Sequence, residues 1–86
     1  MPLNSTTQYA LRAVLYVAEH GSAGPIRVDA IAADLRAPRN YLSKTMHALA
    51  RAGILKSERG PRGGFRLARP AHQISLGEVV APFEPM

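Results

Sequence analysis

Apolar positions recur along the chain at helical spacing in four places and alternate in one. The first run extends from the polar cluster Asn4-Ser-Thr-Thr7, whose members are all candidate N-caps, to about His20. Gly21, Gly24 and Pro25 then end it. Around this predicted helix Tyr9, Leu11, Ala13, Val14, Leu15, Val17 and Ala18 leave only a narrow polar stripe of Gln8, Arg12 and Glu19. A helix so apolar calls for burial on more than one side, either as the central core helix or against a second surface outside this chain. Ile26-Arg-Val28 reads as a minor strand leading into a short helix over Asp29 to Leu35, whose inner side is Ile31, Ala32 and Leu35.

Arg36-Ala-Pro38 predicts a turn, with Pro38 suited to the first position of the next helix, where its missing N–H costs nothing. That helix covers Arg39 to Arg51 and is closed by Ala52-Gly53. At 100° per residue Leu42, Thr45, Met46 and Leu49 share one side. Asn40, Lys44, His47 and Arg51 share the other, with Ser43 beside them and Tyr41 at the boundary. Tyr41 is expected to pack on the core, its hydroxyl free to reach a phosphate. Leu55 to Arg59 and Phe65 to Ala68 read as two strands around Gly60-Pro-Arg-Gly-Gly64. Pro61 fixes φ at the second turn position, and Gly63 and Gly64 tolerate positive φ. Phe65 and Leu67 are expected to face inward and Arg66 outward. Pro70 stops the second strand, and Ser75-Leu-Gly-Glu78 is a capping-box pattern opening a short fourth helix. Pro82 and Pro85 break that helix and leave Phe83 stranded unless it folds back. The expected architecture is mainly α with a small β-hairpin. It is a winged helix-turn-helix with a three-helix core, a two-stranded wing and a short fourth helix.

Charge gives this architecture a face. Between Arg36 and Arg69 nine cations meet one anion, Glu58, a net of +8, while two cations and five anions elsewhere give −3; together they make the overall +5. Clustered cations release condensed counterions when they meet phosphates, so a polyanionic partner is one reading and a solvated basic face the other. The polar stripe of the third helix contains no acid, although an ordinary surface stripe uses one for i,i+4 pairing. Asparagine can pair with adenine in the major groove, and lysine or arginine with guanine. Arg62 stands at the hairpin tip and Arg59 near its base, where arginines can enter a minor groove or grip its backbone. The glycine-rich turn is not a phosphate-binding loop, since it lacks Gly-Lys-Ser/Thr and a following helix.

The 86 residues are the size of one small domain, and 47% apolar content fits a globular chain. With no cysteine, disulfides, thiolate metal sites and cysteine-ligated iron–sulfur clusters are excluded for this chain. His20, His47 and His72 are scattered, the acids are isolated, and no serine sits in a nucleophile elbow, so neither metal site nor enzyme is expected. Met1-Pro-Leu-Asn4 has no basic n-region, and the apolar run Tyr9 to Ala18 is about half the ~20 residues a bilayer requires. No membrane association and a cytoplasmic location are the expectation.

Several segments together carry a family resemblance: Thr7-Gln-Tyr-Ala-Leu-Arg-Ala13, Ile31-Ala32, Asn40-Tyr41-Leu42, Leu49-Ala-Arg-Ala-Gly53, Arg59-Gly-Pro-Arg-Gly-Gly-Phe-Arg-Leu67 and Ile74-Ser-Leu-Gly-Glu-Val-Val80. In this order, and spanning nearly the whole chain, they resemble the Rrf-two family of bacterial winged-helix transcription regulators. That group includes the iron–sulfur cluster regulator and the nitric-oxide-sensitive repressor. The resemblance implies that Arg39 to Ala52 is a recognition helix and Arg59 to Arg66 a wing. Asn40, Tyr41, Ser43 and Lys44 would then lie in or beside the major groove of double-stranded DNA. Arg59, Gly60 and Arg62 would lie at the minor groove or backbone. It further implies a DNA-binding domain over 1–81 and a tail over 82–86 beginning a dimerisation and sensor region. Members usually continue into a cysteine-bearing loop and a long dimerisation helix, and the sequence stops before both. The expectation is therefore a fragment of a longer homodimeric regulator, favoured as a repressor, that holds no cofactor and is a monomer or weak dimer by itself. The rival readings are a protein-interaction winged helix with an acidic partner, and RNA binding, for which a surface aromatic platform is lacking.

Overall fold

The chain caps its first helix with the earliest of the candidate polar residues. In the computed structural model, which describes residues 4–84, α1 spans Ser5–His20 and Asn4 is its N-cap. Asn4 Oδ1 accepts from the Thr7 amide at 2.8 Å, satisfying an amide the helix leaves without a partner. Met1-Pro-Leu, on which the leader reading partly rests, and the second chain-breaker Pro85 lie outside the described residues. The face that α1 buries is a stripe of small residues, Thr7, Ala10, Ala13 and Val17, which lets neighbouring helices approach closely.

After a 3₁₀ turn over Gly21–Ala23, Ile26 forms only a single bridge, opposite Phe65, with both amide–carbonyl bonds at 2.8 Å. The expected strand does not continue through Val28. Val28 instead opens α2, Val28–Leu35, with Arg27 as its N-cap, because its side chain is wanted in the core beside Ile31 and Leu35. The turn that follows uses Arg36 in the left-handed region, φ 55°, a conformation that costs a non-glycine residue on the order of 1 kcal/mol. In return the Arg36 and Ala37 amides reach the free carbonyls of Ala33 and Ala32. Pro38 stands one residue earlier than its expected place, as N-cap rather than first helical residue of α3, Arg39–Arg51. Its carbonyl still accepts the Leu42 amide at 2.9 Å.

The helical period of α3 is obeyed throughout: Leu42, Thr45, Met46 and Leu49 are buried, and Asn40, Lys44, His47 and Arg51 are exposed. Gly53 at φ 80° then lets Ile54 turn back and donate to the Leu49 carbonyl. Strands β1 (Leu55–Glu58) and β2 (Gly64–Leu67) pair antiparallel, Leu55 opposite Leu67 and Ser57 opposite Phe65. Each is displaced by about one residue from the expected span. Phe65 is buried, Leu67 half-buried and Arg66 exposed, as alternation requires. Helix α4, Leu76–Val80, carries the full capping box: Ser75 Oγ accepts from the Glu78 amide at 3.1 Å and Glu78 Oε2 from the Ser75 amide at 2.8 Å. That amide bond, reinforced by Arg69, holds the Glu78 carboxyl below its usual pKa.

Phe83 does fold back onto the core, and Glu84 Oε2 accepts from Asn4 Nδ2 at 2.6 Å and Thr7 Oγ1 at 2.5 Å, tying the end of α4 to the start of α1. One core unites all four helices and the wing, with Ile31, Leu42, Met46, Leu49, Ile54 and Val79 at most 2% exposed. Each such side chain contributes roughly 1.5–3 kcal/mol by leaving water. The second apolar side of α1 is left uncovered. With β2 and α4 it forms a shallow apolar groove in which Leu15 is 55% and Leu76 70% exposed.

Candidate nucleic-acid interface

Separate from that groove, α3 and the wing enclose an open polar cleft. Its walls are Arg39, Ser43 and His47 from α3, Ser57 and Glu58 from β1, Gly60, Gly63, Gly64 and Phe65 from the turn and β2, and Arg27, Val28 and Asp29 from the start of α2. The structure therefore brings four of the sequence-designated residues to one place: Arg39, Ser43, His47 and Gly60. His47 is the joint. Its ring meets Phe65 edge-on, centroids 5.3 Å apart at 87°, while Nδ1 donates to the Ser43 carbonyl at 2.8 Å. A carbonyl oxygen only accepts, so Nδ1 carries the proton and Nε2 remains available.

Two contacts fix the wing to the segment ahead of α2, and a third closes its turn. The Ile26–Phe65 bridge holds its second strand, and Arg27 Nη1 donates to the Pro61 carbonyl in the turn at 3.4 Å. Within the turn, Gly63 donates to the Gly60 carbonyl at 2.9 Å. The glycines serve differently from expectation. Gly60 and Gly64 adopt positive φ, 107° and 154°, whereas Gly63 is needed for space, since a Cβ there would lie 2.3 Å from the Glu58 carbonyl oxygen.

The cations designated from the sequence divide into two groups. Lys44, Arg51, Arg59 and Arg62 are exposed and form neither hydrogen bond nor ion pair among the described residues. Arg39 is paired with Asp29, and Arg66 with Glu58 at 2.7 Å. Asn40 is exposed at the start of α3. Tyr41 is committed inward: its hydroxyl hydrogen-bonds Thr6 Oγ1 and its ring meets Tyr9 edge-on at 5.6 Å. Arg27 and Asp29 were not among the designated residues. Both precede the basic stretch, and neither stands at a helical spacing from its partner, so no local pattern marks them. Three or more metal-ligating side chains come together nowhere among the described residues, and there is no cysteine. The residues present therefore do not fit an iron ion or an iron–sulfur cluster. No helix among the described residues is long and apolar enough to cross a membrane.

Known proteins share this arrangement. The family model Rrf2, described as an iron-dependent transcriptional regulator, matches residues 3–86. A protein of Synechocystis sp. named as a candidate HTH-type transcriptional regulator, slr0846, is 42% identical over 98% of this chain and 57% of its own length. The structure of CymR, the global cysteine regulator of B. subtilis, superposes with a TM-score of 0.92 at 26% identity, covering 98% of this chain and 65% of that one. IscR of T. potens gives a TM-score of 0.91 at 29% identity over 99% of this chain and 62% of that one. The chain thus spans less than two thirds of the length of these relatives. On the family match and these likenesses, the chain belongs to the Rrf2 (Rrf-two) family of winged-helix transcriptional regulators, which are not enzymes.

Proposed function

We propose that the chain is a sequence-specific reader of double-stranded DNA, with α3 in the major groove and the wing at the adjoining minor groove and backbone. The observation that carries this reading is the cleft between α3 and the wing, together with four exposed cations on those elements and their turn that form no internal hydrogen bond or ion pair among the described residues. Asn40, Ser43, Lys44 and His47 face base edges, and Arg51 meets the backbone at the far end of the helix. Tyr41 seats the start of α3 against α1 rather than offering its hydroxyl to a phosphate. Arg59, Gly60 and Arg62 form the wing contact, with Arg66 behind them. Phosphate contacts position such a domain and base contacts specify it.

The chain acts in the cytoplasm, by occupying a promoter and repressing its gene. In the full regulator two copies bind a near-palindromic site as a homodimer, while the lone domain binds one half-site with Kd nearer the non-specific range of about 10⁻⁴ to 10⁻⁶ M. The exposed apolar side of α1 fits a dimer or further segment covering it. An iron–sulfur cluster has no place on these residues, and any such sensor would have to be supplied by other segments of a longer protein.

Substitution tests the reading. A duplex enriched by the chain from a random pool is compared with a scrambled one by fluorescence anisotropy. Asn40→Ala and Lys44→Ala should each reduce the preference by about 5- to 100-fold, the discrimination of a good base contact. Arg62→Ala should weaken both duplexes alike. If all three variants lose affinity equally for duplex DNA and for an acidic polypeptide, the basic face serves an acidic protein partner instead.

A further inference from the structure

Two arginines, Arg39 at the cleft and Arg66 on β2, are ion-paired through the inner guanidinium nitrogen. Arg39 donates to Asp29 through Nε, and the Arg66 Nε lies 2.7 Å from Glu58 Oε2 in an ion pair. The outer Nη1 and Nη2 groups of Arg39 donate to no acceptor among the described residues. Arg69 shows the opposite arrangement: Nη1 donates to the Gln73 carbonyl at 3.0 Å and Nη2 to Glu78 at 2.7 Å, so its fork is consumed within the fold. The difference is functional in kind. A guanidinium gripped at its inner nitrogen is oriented and still presents its paired outer donors, the geometry that matches guanine or a phosphate.

Asp29 lies in the first turn of α2 and Arg39 is the first residue of α3, and both line the cleft between α3 and the wing. Both side chains are more than half exposed, 56% for Arg39 and 54% for Asp29. An exposed pair of this kind adds little to stability. What it does is remove rotamer freedom from a long side chain before DNA arrives, so that less is lost on binding. We propose that Asp29 is a positioning residue that determines specificity, holding Arg39 at the mouth of the cleft with its outer nitrogens turned to a base edge. Asp29 thus belongs to the reading surface although its own charge opposes DNA. This rests on the DNA reading above.

The sign of the effect separates this role from a structural one. Asp29→Ala raises the net charge by one, so its affinity for a scrambled duplex should stay level or rise. Its preference for the enriched duplex should nevertheless fall, roughly three- to tenfold, the cost of ordering one side chain at an interface. Asp34→Ala, an exposed position on the same helix with the same change of charge, should leave the preference intact. Should Asp29→Ala melt early, Asp29→Ser keeps a polar residue near the helix start and carries the same expectation. Three results would overturn the proposal: an unchanged preference, a parallel loss on both duplexes, or an equal fall in Asp34→Ala. A wild-type chain that enriches no duplex at all would instead remove the DNA reading, and this proposal with it.

Discussion

Replacing Gly64 by alanine is expected to unseat the wing and lower the thermal midpoint by more than about 10 °C. A Cβ at this position would stand 2.4 Å from the Ile26 carbonyl oxygen and 2.9 Å from the Arg27 nitrogen, both backbone atoms that cannot swing aside. The residue also holds φ at 154°, where an L side chain is strained by about 1–3 kcal/mol. Relief requires breaking the Ile26–Phe65 bridge, two hydrogen bonds worth about 0.5–1.5 kcal/mol each, and pulling Phe65 partly out of the core. For a domain this small, each kcal/mol moves the midpoint by about 4–8 °C. Gly77→Ala supplies the control, since its Cβ would meet nothing nearer than Ser75 Oγ at 3.8 Å, inside a helix that alanine favours. Circular dichroism melts of the two variants should separate clearly. A Gly64→Ala protein that melts with the unmodified chain would show that the bridge does not hold the wing.

Removing Lys44, Arg51, Arg59 and Arg62 together, each to alanine, should have the opposite profile. None of the four makes an internal contact among the described residues, so the melt should shift by no more than a few degrees. Affinity for duplex DNA should fall about a thousandfold at 0.1 M salt, because each cation that neutralises DNA charge contributes close to one unit of salt slope. Loss of stability with retained binding would place the DNA face elsewhere on the molecule.

How far this face could be read in the sequence depends on the range of each interaction. The inward and outward sides of α3 follow from a period of 3.6, and Leu42, Thr45, Met46 and Leu49 are buried as that period demands. The capping box at Ser75 and Glu78 is a three-residue signal and is present in full. Boundaries set by tertiary demand were less legible. Val28 becomes helix rather than strand because the core wants its side chain, and Pro38 caps α3 instead of entering it. The chain beyond Pro82 looked unsupported because its partners, Asn4 and Thr7, lie at the opposite end of the sequence.

The candidate site divides along the same line. Its cations and its amide side chain are visible as composition on a helical stripe and a hairpin. The organisation of those cations is not. Arg27 reaching Pro61, Asp29 holding Arg39 and Thr6 taking the Tyr41 hydroxyl all join residues ten or more positions apart. Gly63 illustrates the same limit in the backbone: its turn called for a glycine, but the reason is the neighbouring Glu58 carbonyl rather than a positive φ.

The central claim is that the α3–wing face meets duplex DNA through its cations, at base edges and backbone together. Its most direct test is the salt dependence of duplex binding by the unmodified chain. With Lys44, Arg51, Arg59, Arg62 and the outer nitrogens of Arg39 engaged, about five contacts, log K should fall against log salt with a slope of about −4 to −5. A slope near zero would contradict the claim.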